Sequence, residues 1–228
     1  MSATRPQATP DTFDPVSDYW GLRLVKVRQA LVANHFSAHV VDTLAAARAL
    51  VLDLVLPDAA PATVSFGGSL TLADSGLYDD LKAREGLAVI DTWDKSLPPE
   101  ERLELRRRAL LSDLFLTGTN AVTETGWLVN LDMIGNRVGA ITFGPRKVVI
   151  LAGRNKIVPD VTAAVRRIKD FAAPVNAMRL HKKTPCAKTG RCQDCDSPER
   201  ICNHWAVTEK CYPAQRIVVI LVNQDLGY

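Results

Sequence analysis

The chain has little net charge, no long apolar run and no apolar core near its start. Its 28 Lys and Arg residues against 25 Asp and Glu leave a net charge of +3, too small to indicate a nucleic-acid partner. Residues 45–56 form the most apolar stretch, but Arg48 and Asp53 interrupt it, so we expect no membrane span. Residues 1–18 lack the apolar core of a signal peptide. These absences predict a cytoplasmic protein.

Common catalytic signatures are also missing. The sequence has no Walker-type loop, no G-x-G-x-x-G, no G-x-S-x-G and no H-E-x-x-H. It also has no internal repeat. With 228 residues, of which 47% are hydrophobic, we predict a single α/β domain over residues 19–228, preceded by a disordered or loosely packed arm at residues 1–18.

Short apolar segments alternate with stretches of helical periodicity. Strands are expected at 38–41, 62–66, 87–90, 113–117, 147–151 and 217–222, with an antiparallel return at 127–130. Helices are expected at 19–36, 42–56, 70–84, 98–111 and 159–171. Strands separated by helices predict a mostly parallel sheet with helices on both faces. The basic run at 106–108 is then expected on a solvated helical face.

What the chain does have is a cluster of cysteines. Four of its five cysteines lie within residues 185–203, in the pattern C-x5-C-x2-C-x6-C: Cys186, Cys192, Cys195 and Cys202. This polar segment buries little apolar surface, so thiolates around one metal centre are expected to hold it. Only the middle pair has the tight spacing of zinc sites, which favours a [4Fe–4S] cluster and leaves zinc as the alternative.

Other interpretations of these thiols remain open. Disulfides form in oxidising compartments, and the cytoplasm expected for this protein is reducing, so disulfides are not favoured here. His181 and His204 flank the segment and are alternative ligands, whereas Cys211 stands apart as a partly buried thiol. Several basic residues could offset thiolate charge and lower thiol pKa values: Lys182, Lys183, Lys188, Arg191 and Arg200.

Three turns are candidate binding sites for a small anionic metabolite. Gly67, Gly68 and Ser69 join a strand to a helix, where backbone N–H groups suit phosphate or carboxylate, although a plain turn is equally consistent. Arg154 and Lys156 follow another strand, with the same two interpretations. The richest segment runs from 113 to 137 and supplies neutral donors and acceptors: Thr117, Thr119, Asn120, Asn130 and Asn136.

Two charged residues of that segment are candidates for ligand binding or catalysis. Arg137 could hold a carboxylate or phosphate in a bidentate grip, and Glu124 is the candidate general acid or base. The alternative is that the Asn and Gly residues stabilise a turn and that Glu124 is solvated.

Together these motifs resemble the LUD, or lactate-utilisation, domain family. The likeness rests on F-G-G-S-L-T-L at 66–72, T-G-T-N-A-V-T-E-T-G at 117–126, G-N-R-V at 135–138, F-G-P at 143–145 and G-R-N-K at 153–156, and continues through the cysteine segment to 225–228. It implies the fold of the ribose-phosphate isomerase, glucosamine-phosphate deaminase and CoA-transferase group. It also implies a bacterial, cytoplasmic protein linked to oxidation of L-lactate to pyruvate.

The resemblance transfers no catalytic residue. Related sugar-phosphate isomerases place an acid in a Gly-Ala-Asp turn, whereas the similar turn at 117–120 ends in Asn120. The short lactate-utilisation subunit lacks a cysteine segment, so this chain looks like a separate branch that carries its own cluster.

Two hypotheses follow. One is an iron–sulfur LUD protein that acts in or assists oxidation of L-lactate or a related organic acid, with electron-transfer proteins as partners. The other is an enzyme or binding module for a sugar phosphate, nucleotide or CoA ester, in which zinc or a cluster is structural.

Overall fold

A six-stranded parallel sheet forms the centre of the computed structural model, which describes residues 14–228. Neighbouring strands are parallel throughout, and the central ones are buried along nearly their whole length. Continuous apolar runs of this kind belong in a sheet covered on both faces. In spatial order the strands are β1 (Ser37–Val41), β10 (Ile217–Val222), β7 (Lys147–Gly153), β4 (Leu114–Gly118), β2 (Thr63–Phe66) and β3 (Ala88–Ile90).

Helices pack on both faces of this sheet, and each face has its own hydrophobic core. The predicted α/β class with a mostly parallel sheet is therefore confirmed. The helices are α1 (Pro15–Ala33), α2 (Leu44–Leu50), α3 (Leu56–Ala59), α4 (Leu70–Ala73), α5 (Leu77–Lys82), α6 (Pro99–Arg108), α7 (Asn136–Thr142), α8 (Val161–Arg167), α9 (Ala173–Arg179) and α10 (Pro185–Thr189).

A second, four-stranded sheet lies beside the first and was not predicted as a sheet. Its strands, in spatial order, are β8 (Ile157–Val158), β5 (Ala121–Thr123), β6 (Leu128–Asp132) and β9 (His204–Thr208). The antiparallel return expected at 127–130 is β6, which pairs with β5 and β9 in antiparallel fashion. This sheet connects the 113–137 segment to the end of the cysteine segment.

Several predicted helix bounds were wrong for identifiable reasons. α1 begins at Pro15, capped by Asp14, so residues 15–18 of the predicted arm are helical, and residues 1–13 lie outside the described range. The second helix is capped by Thr43 rather than Asp42. It also continues past Pro57, which lies in the first turn of α3 directly after a π turn, where a missing N–H is tolerated.

The helix predicted at 70–84 is split by Ser75. Its hydroxyl donates to the Leu72 carbonyl and accepts from the Leu77 N–H, so it ends α4 and starts α5. Ser69 accepts from the Leu72 N–H and caps α4. Within residues 14–228, no helix is both long enough and apolar enough to cross a bilayer.

Candidate functional site

A cavity of about 600 Å³ opens at the carboxyl ends of β2, β3 and β4. Residues 68–71, 92–93 and 118–120, which follow these strands, form one side of it. Side chains from α6 and α9, and Lys156 after β7, also line it. This is the edge at which parallel sheets of this kind bind ligands. We call it the basic cavity.

The charged residues of its wall are mostly basic. Asp132 is the only carboxylate residue among the lining residues. Its Oδ1 already accepts from the Arg137 guanidinium, at 2.7 and 2.9 Å. Unbalanced positive charge in a concave site attracts anions. The basic lining residues are Arg102, Arg106, Arg137, Lys156, Arg179 and Lys182.

Arg137 was expected to grip an anion, but its donors are engaged inside the protein. It bonds to Asp132 and to the Asn130 and Asn120 side-chain oxygens, at 2.8 and 2.6 Å. It also donates to the carbonyls of Gly118 and Leu131. Its side chain is only 11% exposed. Arg137 therefore orders the turn at 118–120 rather than offering a free fork to a ligand.

Asn120 and Asn130 belong to this same network. The Asn130 oxygen accepts from Thr119, from the Asn120 N–H and from Arg137. The Asn120 oxygen accepts from the Leu131 N–H and from Arg137. Thr119, Asn120 and Asn136 line the basic cavity, whereas Asn130 lies behind its wall. The side chains of Thr119, Asn120 and Asn130, predicted to bind a ligand, thus mainly form hydrogen bonds that connect the end of β4 to the second sheet.

Lys156 is the most deeply buried cation of the basic cavity. It is 4% exposed, and its Nζ donates to Thr71 Oγ1 at 3.0 Å. Burial, followed by the charges of Arg167 and Arg137, lowers its pKa to about 7. The neutral amine is therefore well populated near neutral pH.

The cations of α6 were not expected here. Arg102 and Arg106 are one helical turn apart and both line the basic cavity, so the expectation of a solvated face was wrong for Arg106. Burial and the charge of Arg102 lower the pKa of Arg106. Among residues 14–228, the buried Nε of Arg102 and Nε1 of Trp93 have no hydrogen-bond partner. Both residues line the cavity, although these two nitrogen atoms are not exposed at its surface.

The Gly-Gly-Ser turn lies at the cavity, with different roles for its members. Gly68 and Ser69 line the wall. Gly67 does not, and a Cβ there would lie 2.5 Å from Thr117 Oγ1, so β2 and β4 approach each other closely at this point.

The candidate acid or base Glu124 is not at the cavity. Its carboxylate binds Arg23 of α1, and its side chain is 45% exposed. The geometry thus agrees with the solvated alternative rather than with a catalytic role in this cavity.

The four clustered cysteines line a second, smaller cavity. None of them forms a disulfide. Among residues 14–228, no three His, Cys, Asp or Glu side chains are close enough together to hold one metal ion. Neither His181 nor His204 contributes to this wall. We call it the cysteine cavity, lined by Thr184, Cys186, Cys192, Gln193, Asp194, Cys195, Arg200, Ile201 and Cys202.

The cysteine segment is held by polar contacts and a small apolar cluster. Arg200 donates to the carbonyls of Cys195 and Cys202, and Asp194 pairs with Lys169. Burial, together with the neighbouring thiols, raises the pKa of Cys202 to about 11. The fifth cysteine, Cys211, is fully buried in a core of the main sheet rather than partly buried.

Ile201 joins the two sites. It is 7% exposed and lines both the basic cavity and the cysteine cavity. The cysteine cavity and the basic cavity therefore share a lining residue.

A comparison with models of protein families identified a match. The sequence profile described as "LUD domain" matches residues 24–222, which include the lining of both cavities except Gly227 and Tyr228 of the basic cavity. The chain belongs to the LUD domain family. A search of curated proteins found no match.

Two solved structures resemble this LUD protein. A DUF162 family protein from Deinococcus radiodurans is 15% identical, with a TM-score of 0.49, over 89% of this chain and 97% of that one. The eIF2B delta structure from Chaetomium thermophilum is 15% identical, with a TM-score of 0.25, over 64% of this chain and 53% of that one.

Proposed function

We propose that this LUD protein holds a [4Fe–4S] cluster on Cys186, Cys192, Cys195 and Cys202 and acts in the oxidation of L-lactate or a related organic acid. The observation that carries the proposal is the wall shared through Ile201, which puts the four thiols next to an anion-binding type of cavity. The proposal places the protein in the cytoplasm, where thiols stay reduced.

The residues of the cysteine cavity fit such a cluster. All four donors are thiols, and all four face one space. Zinc sites usually show two closely spaced ligand pairs, whereas only Cys192 and Cys195 are closely spaced in this sequence. The spacing therefore favours the cluster over zinc.

In this proposal, the basic cavity is the binding site for the organic acid. L-lactate is a carboxylate, and Arg102, Arg106 and Arg179 offer cationic donors on the cavity wall. Oxidation of L-lactate to pyruvate releases two electrons and two protons. A bound [4Fe–4S] cluster supplies one-electron transfer, so an electron-transfer protein partner is required to complete the balance.

Anaerobic purification tests the cluster directly. We expect a brown protein with about four irons and four sulfides per chain, and loss of the colour in Cys192→Ser. Cys211→Ser is the matched control, because Cys211 lies in the core, away from the cysteine cavity, and that variant should keep its iron. A colourless protein with one zinc per chain would contradict the redox proposal.

A redox titration tests the coupling between the two cavities. Binding of L-lactate should shift the reduction potential of the cluster, since a charge arrives beside it. Arg102→Ala should weaken this shift without removing iron. A potential that L-lactate leaves unchanged at saturating concentration would separate the cluster from the basic cavity.

The volume of the basic cavity favours a second candidate. About 600 Å³ is the size of site that holds a drug-sized ligand, whereas lactate has six non-hydrogen atoms. A sugar phosphate, nucleotide or CoA ester would fill more of the space and satisfy more of the cations. Calorimetry should decide: tighter binding of a phosphorylated ligand than of L-lactate, with no change in potential, would support a binding module with a structural metal.

A further inference from the structure

Lys156 is a buried amine that no carboxylate neutralises. Across residues 14–228, the partner of its Nζ is the Thr71 hydroxyl at 3.0 Å. The charged groups that act on it are the guanidinium groups of Arg167 and Arg137. Arg167 itself donates to the carbonyls of Asn120 and Asn155 and so stays fixed nearby. A lysine kept only for stability would be expected to have an anionic partner.

This environment gives the amine the properties of a nucleophile. Burial and neighbouring positive charge favour the neutral form, whose lone pair can attack a carbonyl carbon. The side chain lines the basic cavity, so a bound ligand can reach it. The cations elsewhere on that wall would hold the carboxylate of the same ligand.

We propose that Lys156 forms an imine with the carbonyl carbon of a 2-oxo acid bound in the basic cavity. The choice of a 2-oxo acid rests on the proposed function, since pyruvate is the product of L-lactate oxidation. The Thr71 hydroxyl orients Nζ and is a positioning residue for this step.

The step balances without an oxidant or reductant. The Nζ lone pair forms the new C–N bond, and the electron pair of the carbonyl moves to its oxygen, which takes up a proton. The nitrogen then loses a proton to give the carbinolamine. Its hydroxyl group takes up a proton and leaves as water while the nitrogen lone pair forms the C=N bond, and the nitrogen gives up its remaining proton. One amine and one ketone thus give one imine and one water.

Reductive trapping tests the inference. The full-length protein is incubated with pyruvate and sodium cyanoborohydride, and its intact mass and peptide map are measured. We expect one adduct per chain, located on Lys156, and at least a tenfold loss of adduct in Lys156→Arg and Lys156→Met. The matched control is Lys147→Met, because Lys147 starts β7, the strand that precedes Lys156, and pairs with Asp58. That variant should keep the adduct.

The outcomes separate this inference from the proposed function. Trapping does not require electron transfer through the cluster, so the adduct should still form on Lys156 after iron is removed, at a pyruvate concentration that saturates the weakened site. Absence of an adduct, or an adduct spread over surface lysines and retained in both Lys156 variants, would overturn the inference even if iron is present and L-lactate shifts the potential. An adduct on Lys156 in a zinc-containing protein would support the inference and contradict the redox proposal.

Discussion

Arg137 and Arg102 line the same cavity, but their donors are used differently. Arg137 is surrounded by Asp132, Asn120 and Asn130, which accept its hydrogen bonds. Arg102 lines the cavity and forms no ion pair within residues 14–228. A fully bonded arginine supports the wall of a site, whereas an arginine without a carboxylate partner can pair with an anionic ligand.

Substitution of these two arginines by alanine should therefore affect stability and anion binding differently. Arg137→Ala removes the partner of a buried carboxylate and should lower the free energy of unfolding by about 3–5 kcal/mol. Arg102→Ala leaves no buried carboxylate behind and should change it by less than about 1 kcal/mol while weakening anion binding. Urea unfolding and calorimetry measure the two effects. Equal stability of the two variants would contradict this division of roles.

Burial of Lys156 should also make stability depend on pH. Its folded pKa of about 7 lies below the unperturbed value of 10.5, so between these values the unfolded chain binds more protons than the folded one. Stability contributed at this site therefore rises with pH across that window. Lys156→Met should be more stable than wild type near neutrality, and its advantage should shrink by roughly 3 kcal/mol from about pH 7 to about pH 10. Denaturant unfolding at several pH values measures the gap, and a constant gap would contradict the prediction.

At the scale of elements, the turn between β5 and β6 is tightly docked against α1. Gly126 in this turn has a φ of +78°, and a Cβ there would lie 2.6 Å from the backbone of Ala30 and Leu31. Asn34 fastens the same turn by donating to the carbonyls of Thr125 and Gly126. The first helix thus packs against the end of the second sheet at which β5 turns into β6.

Substitution of Gly126 should loosen this contact. Gly126→Ala combines a left-handed backbone with a backbone clash, so we expect a loss of about 2 kcal/mol or more in unfolding free energy. Gly21→Ala is the control on the same helix, since no atom lies within 4 Å of its added Cβ. That change should stabilise the protein by about 0.5–1 kcal/mol. A neutral Gly126→Ala would show that α1 is not seated on the turn as described.

The elements that could be predicted from the sequence are those with a strong apolar pattern. All six strands of the main sheet were predicted, because each is a short apolar run between turn residues. β5 and β8 have only three and two residues, too few to show the alternation of apolar and polar residues that marks a strand. β9 is largely exposed. Strands this short are specified by their neighbours rather than by their own sequence.

The candidate site could be predicted only in part, for a similar reason. Gly68, Ser69 and Lys156 were found because they follow strands, and the ends of parallel strands meet at one edge. Arg102 and Arg106 were missed because the direction of a helical face depends on how α6 docks. Arg137 was placed correctly at the cavity, but no local pattern shows that Asp132 and two Asn side chains use its donors.

For the molecule as a whole, the cysteine segment stands apart from the main cores. Its apolar cluster consists of Ala177, Cys186 and Ile201, with two further residues packed against it, whereas each face of the main sheet has a far larger core. A cluster this small buries little apolar surface, so it stabilises the segment weakly on its own. The segment should therefore depend on the proposed metal far more than the sheet does.

Removal of the metal should consequently unfold one region and spare the rest. In a Cys192→Ser, Cys195→Ser double variant, amide hydrogen exchange should accelerate across residues 184–203, while β4, β7 and β10 keep their protection. The wall shared through Ile201 should then open, so anion affinity should fall although every cation of the basic cavity is still present. The Cys211→Ser variant is the control, because it also replaces a cysteine by serine but at a position in the core, away from the cysteine cavity. Unchanged exchange across 184–203, or global loss of protection, would show that the metal site and the sheet are not independent in this way.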